Sequence, residues 1–312
     1  MTTLELPALV GTNPLGFLAA LGVLDVADRH DGEQLLLRWS DDLRPHAVVE
    51  GVDDLGTLVD LVEDDRQQWI ESPLLTWGPD GKPLDDVKPS AEELHTWAEH
   101  LYCRLSEHDH AAADLWCALL AEGAFAGRPG TGNDRDAKPT HLHFTAGQQQ
   151  FLKMARELAG RVDRDRVEEA LVGPWRYDSD LPSFRWDLRG ERLYAVSARN
   201  PSTDPPRSVP AANWLAFLGL RFFPVVALNE SLRTTLCAAP WKSGGSLTWP
   251  LWHNPLSASS IFSMLTSLPL AKMGVPEQQA RGLSTVLQAP IRRTDQGGYG
   301  SFGAPIPVFG GR

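Results

Sequence analysis

The chain has 312 residues, 42% of them hydrophobic and 22% charged, a globular composition long enough for two ordinary domains or one large one. Its three cysteines, Cys103, Cys117 and Cys237, form no C-x-x-C pair, which excludes a zinc ribbon and a disulfide framework and points to a reducing, cytoplasmic setting. The net charge of −11 hides an asymmetry: residues 1–175 hold 15 Lys+Arg against 32 Asp+Glu (−17), and residues 176–312 hold 14 against 8 (+6). Either both halves are only solvated surfaces, or the basic one meets an anionic partner.

The N-terminus carries Glu5 where a secretion signal would carry Lys or Arg, and the apolar run Leu15–Leu24 is too short to span a bilayer, which needs about 20 residues. Thr3 to Val10 reads as a strand. Asn13 then caps a helix over Pro14–Ala27, with proline at its first position. Leu15, Leu18, Leu21 and Leu24 give that helix more than one apolar stripe, so it is buried. Gly16 and Gly22 each cost about 1 kcal/mol against alanine and imply close approach on their side. Gln34–Trp39 and His46–Glu50 read as strands, and Val52–Ile70 as an amphipathic helix with Leu55, Leu58, Val59 and Val62 on one face. The order β-α-β-β-α opens a ferredoxin-like motif.

Residues 72–87 are turn-rich. Ser90 with Glu93 forms a capping box for a helix reaching about Ser106, and His108–Ala121 is a second helix. Gly123–Pro139 is a loop, Thr140–Thr145 a short strand, and 148–162 and 163–172 are helices. In the basic half, Phe184–Asp187 and Arg192–Val196 read as extended, and Asn200–Pro210, with four prolines, as a loop. A second apolar helix follows over Ala211–Phe222. Its Trp214–Leu220 aligns without gaps on Phe17–Val23, matching Leu, Ala, Leu and Gly, either an internal repeat or the chance similarity of two apolar helices. Leu232–Ala238 and Ser246–Trp252 are strands around Lys242-Ser243-Gly244-Gly245, Ser257–Leu268 is a helix, and Ala289–Thr294 and Ile306–Phe309 are strands. The expected fold is α+β: two ferredoxin-like halves with helices inserted in the middle, an acidic domain over 1–172 and a basic domain over 173–312.

No phosphate loop, dinucleotide fingerprint or G-x-S-x-G elbow is present. His141 and His143 could share a strand face, but a metal site needs further ligands and none is obvious nearby. Asp178, Ser179, Asp180 and Asp187 resemble a carboxylate cluster for a divalent ion, or else simple turn chemistry. No catalytic residue, metal or cofactor is therefore assigned. The stronger constellation is Arg292-Arg293 followed by a glycine turn that presents Tyr299 and Phe302: arginine contacts phosphates and aromatics stack on bases. Lys242 offers a second such turn, and Arg185, Arg189 and Arg192 add charge interleaved with Trp186 and Tyr194. The competing reading is a hairpin with its aromatics inward and its arginines solvated.

Leu6–Gly22, read L-P-A-L-V-G-T-N-P-L-G-F-L-A-A-L-G, resembles the N-terminal signature of CRISPR-associated proteins of the type I-U (I-G) subtype. Phe184–Asp187 through Tyr194, the Ala211–Pro224 helix and Trp249-Pro250-Leu251-Trp252 with Pro255-Leu256-Ser257 resemble the same group, so the similarity touches both ends of the chain and not the acidic middle. The resemblance implies a subunit or accessory factor of an RNA-guided complex acting on foreign DNA. Its partners would be other CRISPR-complex subunits, guide RNA or target DNA, and a helicase-nuclease, with no membrane. The alternatives are a protein-interaction scaffold that docks the helicase-nuclease without touching nucleic acid, its tryptophans serving as hot spots, and a metal-dependent nuclease.

Overall fold

The computed structural model describes residues 2–30, 35–105, 110–122, 137–145, 149–190, 207–228, 231–238, 245–293 and 299–309. Strand β1 (Thr3–Val10) runs into helix α1 (Pro14–Arg29), and Asn13 caps it, its Oδ1 accepting from the Leu15 amide at 3.2 Å. Strands β2 (Leu36–Trp39) and β3 (His46–Glu50) and helix α2 (Leu55–Ile70) follow. β3 pairs antiparallel with both β1 and β2. β1 and β2 are thus parallel, with β3 inserted between them and α1 as their crossover: a split β-α-β arrangement.

The middle is helical, with α3 (Pro73–Thr76), α4 (Ala91–Leu105), α5 (Ala111–Leu119), α6 (Phe151–Arg161) and α7 (Arg164–Val172), and a two-stranded ribbon of β4 (Leu120–Glu122) and β5 (Ala137–Pro139). The Ser90/Glu93 capping box is formed in both directions, at 2.7 and 3.3 Å. Residues 140–145 are not the expected strand. Thr234 Oγ1 receives the His141 amide at 2.9 Å and lies 3.3 Å from the Thr140 hydroxyl, so this segment satisfies its polar groups outside any ladder.

The C-terminal part comprises α8 (Pro210–Gly219), β6 (Val225–Leu228), β7 (Ser231–Thr234), β8 (Cys237–Ala238), β9 (Gly245–Trp252), α9 (Ala258–Ser267), α10 (Val275–Ala280), β10 (Leu283–Arg293), β11 (Gly300–Phe302) and β12 (Ile306–Pro307). The strand expected over 232–238 is interrupted at Leu236, whose φ of 62° leaves the β region. β10 lies antiparallel to β9, with β11 and β12 on its other side and β8 beyond β9. The connection through α9 therefore joins adjacent antiparallel strands, where a β-α-β unit would join parallel ones. In this respect the second half departs from the ferredoxin-like pattern expected for it. The strand expected at Arg192–Val196 lies outside the described residues. The fold is mixed α and β, with ten α-helices and several small antiparallel sheets among the described residues. No described helix is long and apolar enough to cross a membrane.

Helix α1 is buried from Pro14 to Ala27, and α8 is buried throughout. They cross at their glycines. A Cβ on Gly22 would overlap the Leu215 carbonyl, and one on Gly219 would overlap the Leu18 carbonyl. In the repeat alignment Gly22 corresponds to Gly219 and Leu18 to Leu215, so the contact is reciprocal, as across a two-fold axis. Phe17 stacks on Trp39 at 5.7 Å and lies against Trp249 and Trp252. The Trp249 indole donates to the Gly11 carbonyl at 2.9 Å and that of Trp252 to Leu37 at 2.7 Å, which binds the C-terminal sheet to the N-terminal one. Buried Asp25 receives Arg29 at 3.0 Å and Arg221 at 2.6 Å, and Arg29 also reaches buried Asp65. A single apolar cluster takes in residues of both 1–172 and 173–312.

Candidate nucleic-acid interface

Helix α7 ends at Gly173, whose φ of 75° turns the chain into a wall formed by residues 174–190. The wall is fixed from within. Phe184 and Trp186 are fully buried, the Phe184 amide donates to Asn213 Oδ1 at 3.0 Å, and the Trp186 indole donates to the Leu142 carbonyl at 2.9 Å. Arg185 lies between these anchors with φ 66°, a strained backbone for a non-glycine residue, and its guanidinium sits over the Tyr299 ring at 4.5 Å. Arg189, exposed, sits over the ring of Tyr177 at 4.2 Å, and Tyr177 also has a positive φ, 56°.

Asp187 is the hub of the second pair. Its Oδ1 accepts from Asn13 Nδ2 and from the Arg189 amide, each at 3.0 Å, and its Oδ2 accepts the Tyr177 hydroxyl at 2.8 Å. Burial first, and then the Asp187 charge, push the Tyr177 phenol well above its ordinary value, so it stays neutral and keeps donating. The opening helix therefore reaches this wall directly through its cap. Asn13 uses its oxygen on the helix and its amide nitrogen on Asp187; an aspartate cap would offer no donor for the second bond. Asn13 and Tyr177 were not singled out as site residues in the sequence. The only signal was the choice of Asn for a cap and the aromatic-rich run Trp175–Tyr177.

Other expected site residues lie elsewhere. Arg292 is exposed on β10, opposite Ser301 of β11. Arg293 is half-buried and turned inward: it donates to the carbonyls of His143 at 3.3 Å and His141 at 3.1 Å, lies over Phe144, and burial holds it below the usual arginine range. It braces the 140–145 segment. Phe302 is fully buried edge-on against Phe144, with ring centroids 4.9 Å apart, and offers no face to a base. The Gly300 amide is taken by the Phe144 carbonyl at 3.0 Å, and the ring leaves no room for a side chain there, so this glycine serves packing. The sequence pattern could not separate inward from outward residues here because Arg292 and Arg293 are adjacent residues of one type, one exposed and one turned inward. Lys242 and Arg192 lie outside the described residues.

The two histidines are buried, and the segment that carries them is not a strand. His141 Nδ1 is 2.9 Å from Thr234 Oγ1, and burial, with the charges of Arg293 and Arg233, lowers its pKa to about 3. His143 Nε2 lies 2.9 Å from both Asp86 Oδ1 and Thr145 Oγ1. Burial raises Asp86, but His143 and Lys88 outweigh it and hold the carboxyl at about 2. Among the described residues no group of three or more His, Cys, Asp or Glu is placed to hold a metal ion, and Asp187 is committed to the contacts above. Every described tryptophan is buried or half-buried, and Trp241 lies outside the described residues. The chain matches no protein-family model, and no curated protein is significantly similar to it.

Proposed function

We propose that the protein is a non-catalytic subunit or accessory factor of a type I CRISPR RNA-guided interference complex. It contacts guide RNA or target DNA through Arg185, Arg189, Tyr177 and Tyr299, with Arg292 on the neighbouring strand. The observation that carries this reading is the stack of Arg185 on Tyr299, two residues from distant segments that the sequence had assigned to nucleic-acid contact separately. Arginine over an aromatic ring, within a half that carries +6, is the chemistry of a sequence-tolerant nucleic-acid surface. The likeness of Leu6–Gly22 to the type I-U signature supplies the biological setting. In this reading the β1-α1-β2-β3-α2 unit is a ferredoxin-like half, and the C-terminal half is a diverged companion built on the matching helix α8.

The test is fluorescence anisotropy of labelled single-stranded RNA and DNA with the full chain, comparing wild type with the double variant Arg189→Glu, Arg292→Glu. The expected result is a loss of affinity of about tenfold or more with an unchanged melting temperature, since both side chains are exposed. Wild-type protein that binds neither strand would overturn the proposal. A scaffold role without nucleic-acid contact is the second reading. It is favoured by Val226 and Leu228, 54% and 51% exposed on the β6–β7 hairpin. Assembly with CRISPR-complex proteins that survives loss of Val226 and Leu228, together with loss of nucleic-acid capture in the arginine variant, would rule it out.

A further inference from the structure

We infer that the ligand of the Arg185–Tyr299 and Arg189–Tyr177 face is single-stranded nucleic acid engaged through its base faces, and not a duplex engaged through its phosphates alone. This rests on the proposed nucleic-acid role and adds the form of the ligand. Each guanidinium lies over a tyrosine ring, at 4.5 and 4.2 Å, and the exposed Arg189 presents a flat, charged surface already stacked from behind. A base landing on it extends a tyrosine–arginine stack, which every base can do because every base has a π-face. In a duplex those faces are covered by neighbouring pairs, and only edges and phosphates are presented.

The two stacks are held in advance. The Arg189 amide is bound by Asp187 and the Arg185 amide donates to Ser183 Oγ at 3.2 Å. The residues flanking Arg185, Phe184 and Trp186, are fully buried, and Asp187 fixes the Tyr177 ring through its hydroxyl. Side chains ordered in this way lose little freedom on binding, which favours stacking over the loose charge contacts that long, mobile arginines make to a duplex backbone. Charge points the same way: exposed Asp178 and Asp180 follow Tyr177 in the chain and disfavour a continuous track of phosphates beside it.

The experiment compares the full chain on three labelled ligands of equal length: single-stranded DNA or RNA, the matching duplex, and a strand in which the central nucleotides are abasic. The single strand is expected to bind about tenfold or more tightly than the other two, with Tyr299→Ala narrowing the gap and Tyr299→Phe preserving it. Separate RNA and DNA arms identify which strand is preferred. Equal binding of duplex, single strand and abasic strand would overturn the inference while leaving the proposed nucleic-acid role standing. Absence of binding to all three would overturn both. The abasic comparison alters only the ligand, so it decides the matter even where a variant fails to fold.

Discussion

Asp187 shows how one carboxylate can organise a surface. It gathers a helix cap, a phenol and a backbone amide, and the Tyr177 ring and Arg189 stay together because of it. Replacing Asp187 with alanine leaves the Tyr177 hydroxyl and the Asn13 amide without their acceptor, so a loss of about 1–3 kcal/mol in chemical denaturation and weaker strand binding are expected. Tyr177→Phe removes only the hydroxyl; a cost of about 1 kcal/mol with binding retained is expected, since the ring stays under Arg189. His141 makes a pH prediction. Its folded pKa, about 3, lies below the ordinary value, so its contribution is fully present above about pH 6.5 and is lost as pH falls toward 3, when the unfolded chain takes up the proton first. Asp86, held at about 2, adds a loss that begins only below about pH 4. Thermal melting between pH 7 and 5 should therefore decline in the wild type and flatten in His141→Asn. An unchanged slope in that variant would show that another group carries the pH dependence.

At the level of elements, the crossing of α1 and α8 depends on Gly22 and Gly219 because each meets a backbone carbonyl, which cannot swing aside as a side chain can. Gly22→Ala and Gly219→Ala should each cost about 3 kcal/mol or more. Gly160 in α6 has open space around its missing Cβ and no positive φ, so Gly160→Ala should be neutral or stabilising by up to about 1 kcal/mol. Equal effects at Gly22 and Gly160 would contradict the close-crossing account. This part of the fold was legible in the sequence: two glycines kept in an apolar helix are costly unless something needs the space. The caps at Asn13 and Ser90 were equally readable, because capping is local chemistry. The 140–145 segment was not. Its pattern T-H-L-H-F-T alternates as a strand does, but the decision came from Thr234 and Arg293, far away in the chain. The antiparallel β9–β10 pairing was hidden for the same reason, since a helix between two strands is compatible with either direction.

For the molecule as a whole, the charge division between the halves is a property of the surface and does not divide the interior. One apolar cluster joins both halves, and Arg221 after α8 binds Asp25 of α1. Unfolding should accordingly follow a single cooperative transition, and residues 173–312 alone should expose the buried face of α8 and fail to fold. Two resolved transitions would show independent domains. Arg185, Arg189 and Tyr299 stood out in the sequence as arginine and aromatic candidates and take part in two stacks, whereas Arg293 and Phe302 carried the same residue types and turned inward. Residue type marks what a side chain can do, and only the sheet register sets which way it faces. The central claim, that this protein holds a nucleic-acid strand through its basic half, is met most directly by the salt dependence of full-chain binding to a labelled single strand. The account predicts that log K falls linearly with log salt, by about 0.7 for each phosphate neutralised, and that Arg292→Ala flattens the slope by about that amount. A flat salt dependence, or a slope that Arg292→Ala leaves unchanged, would contradict it.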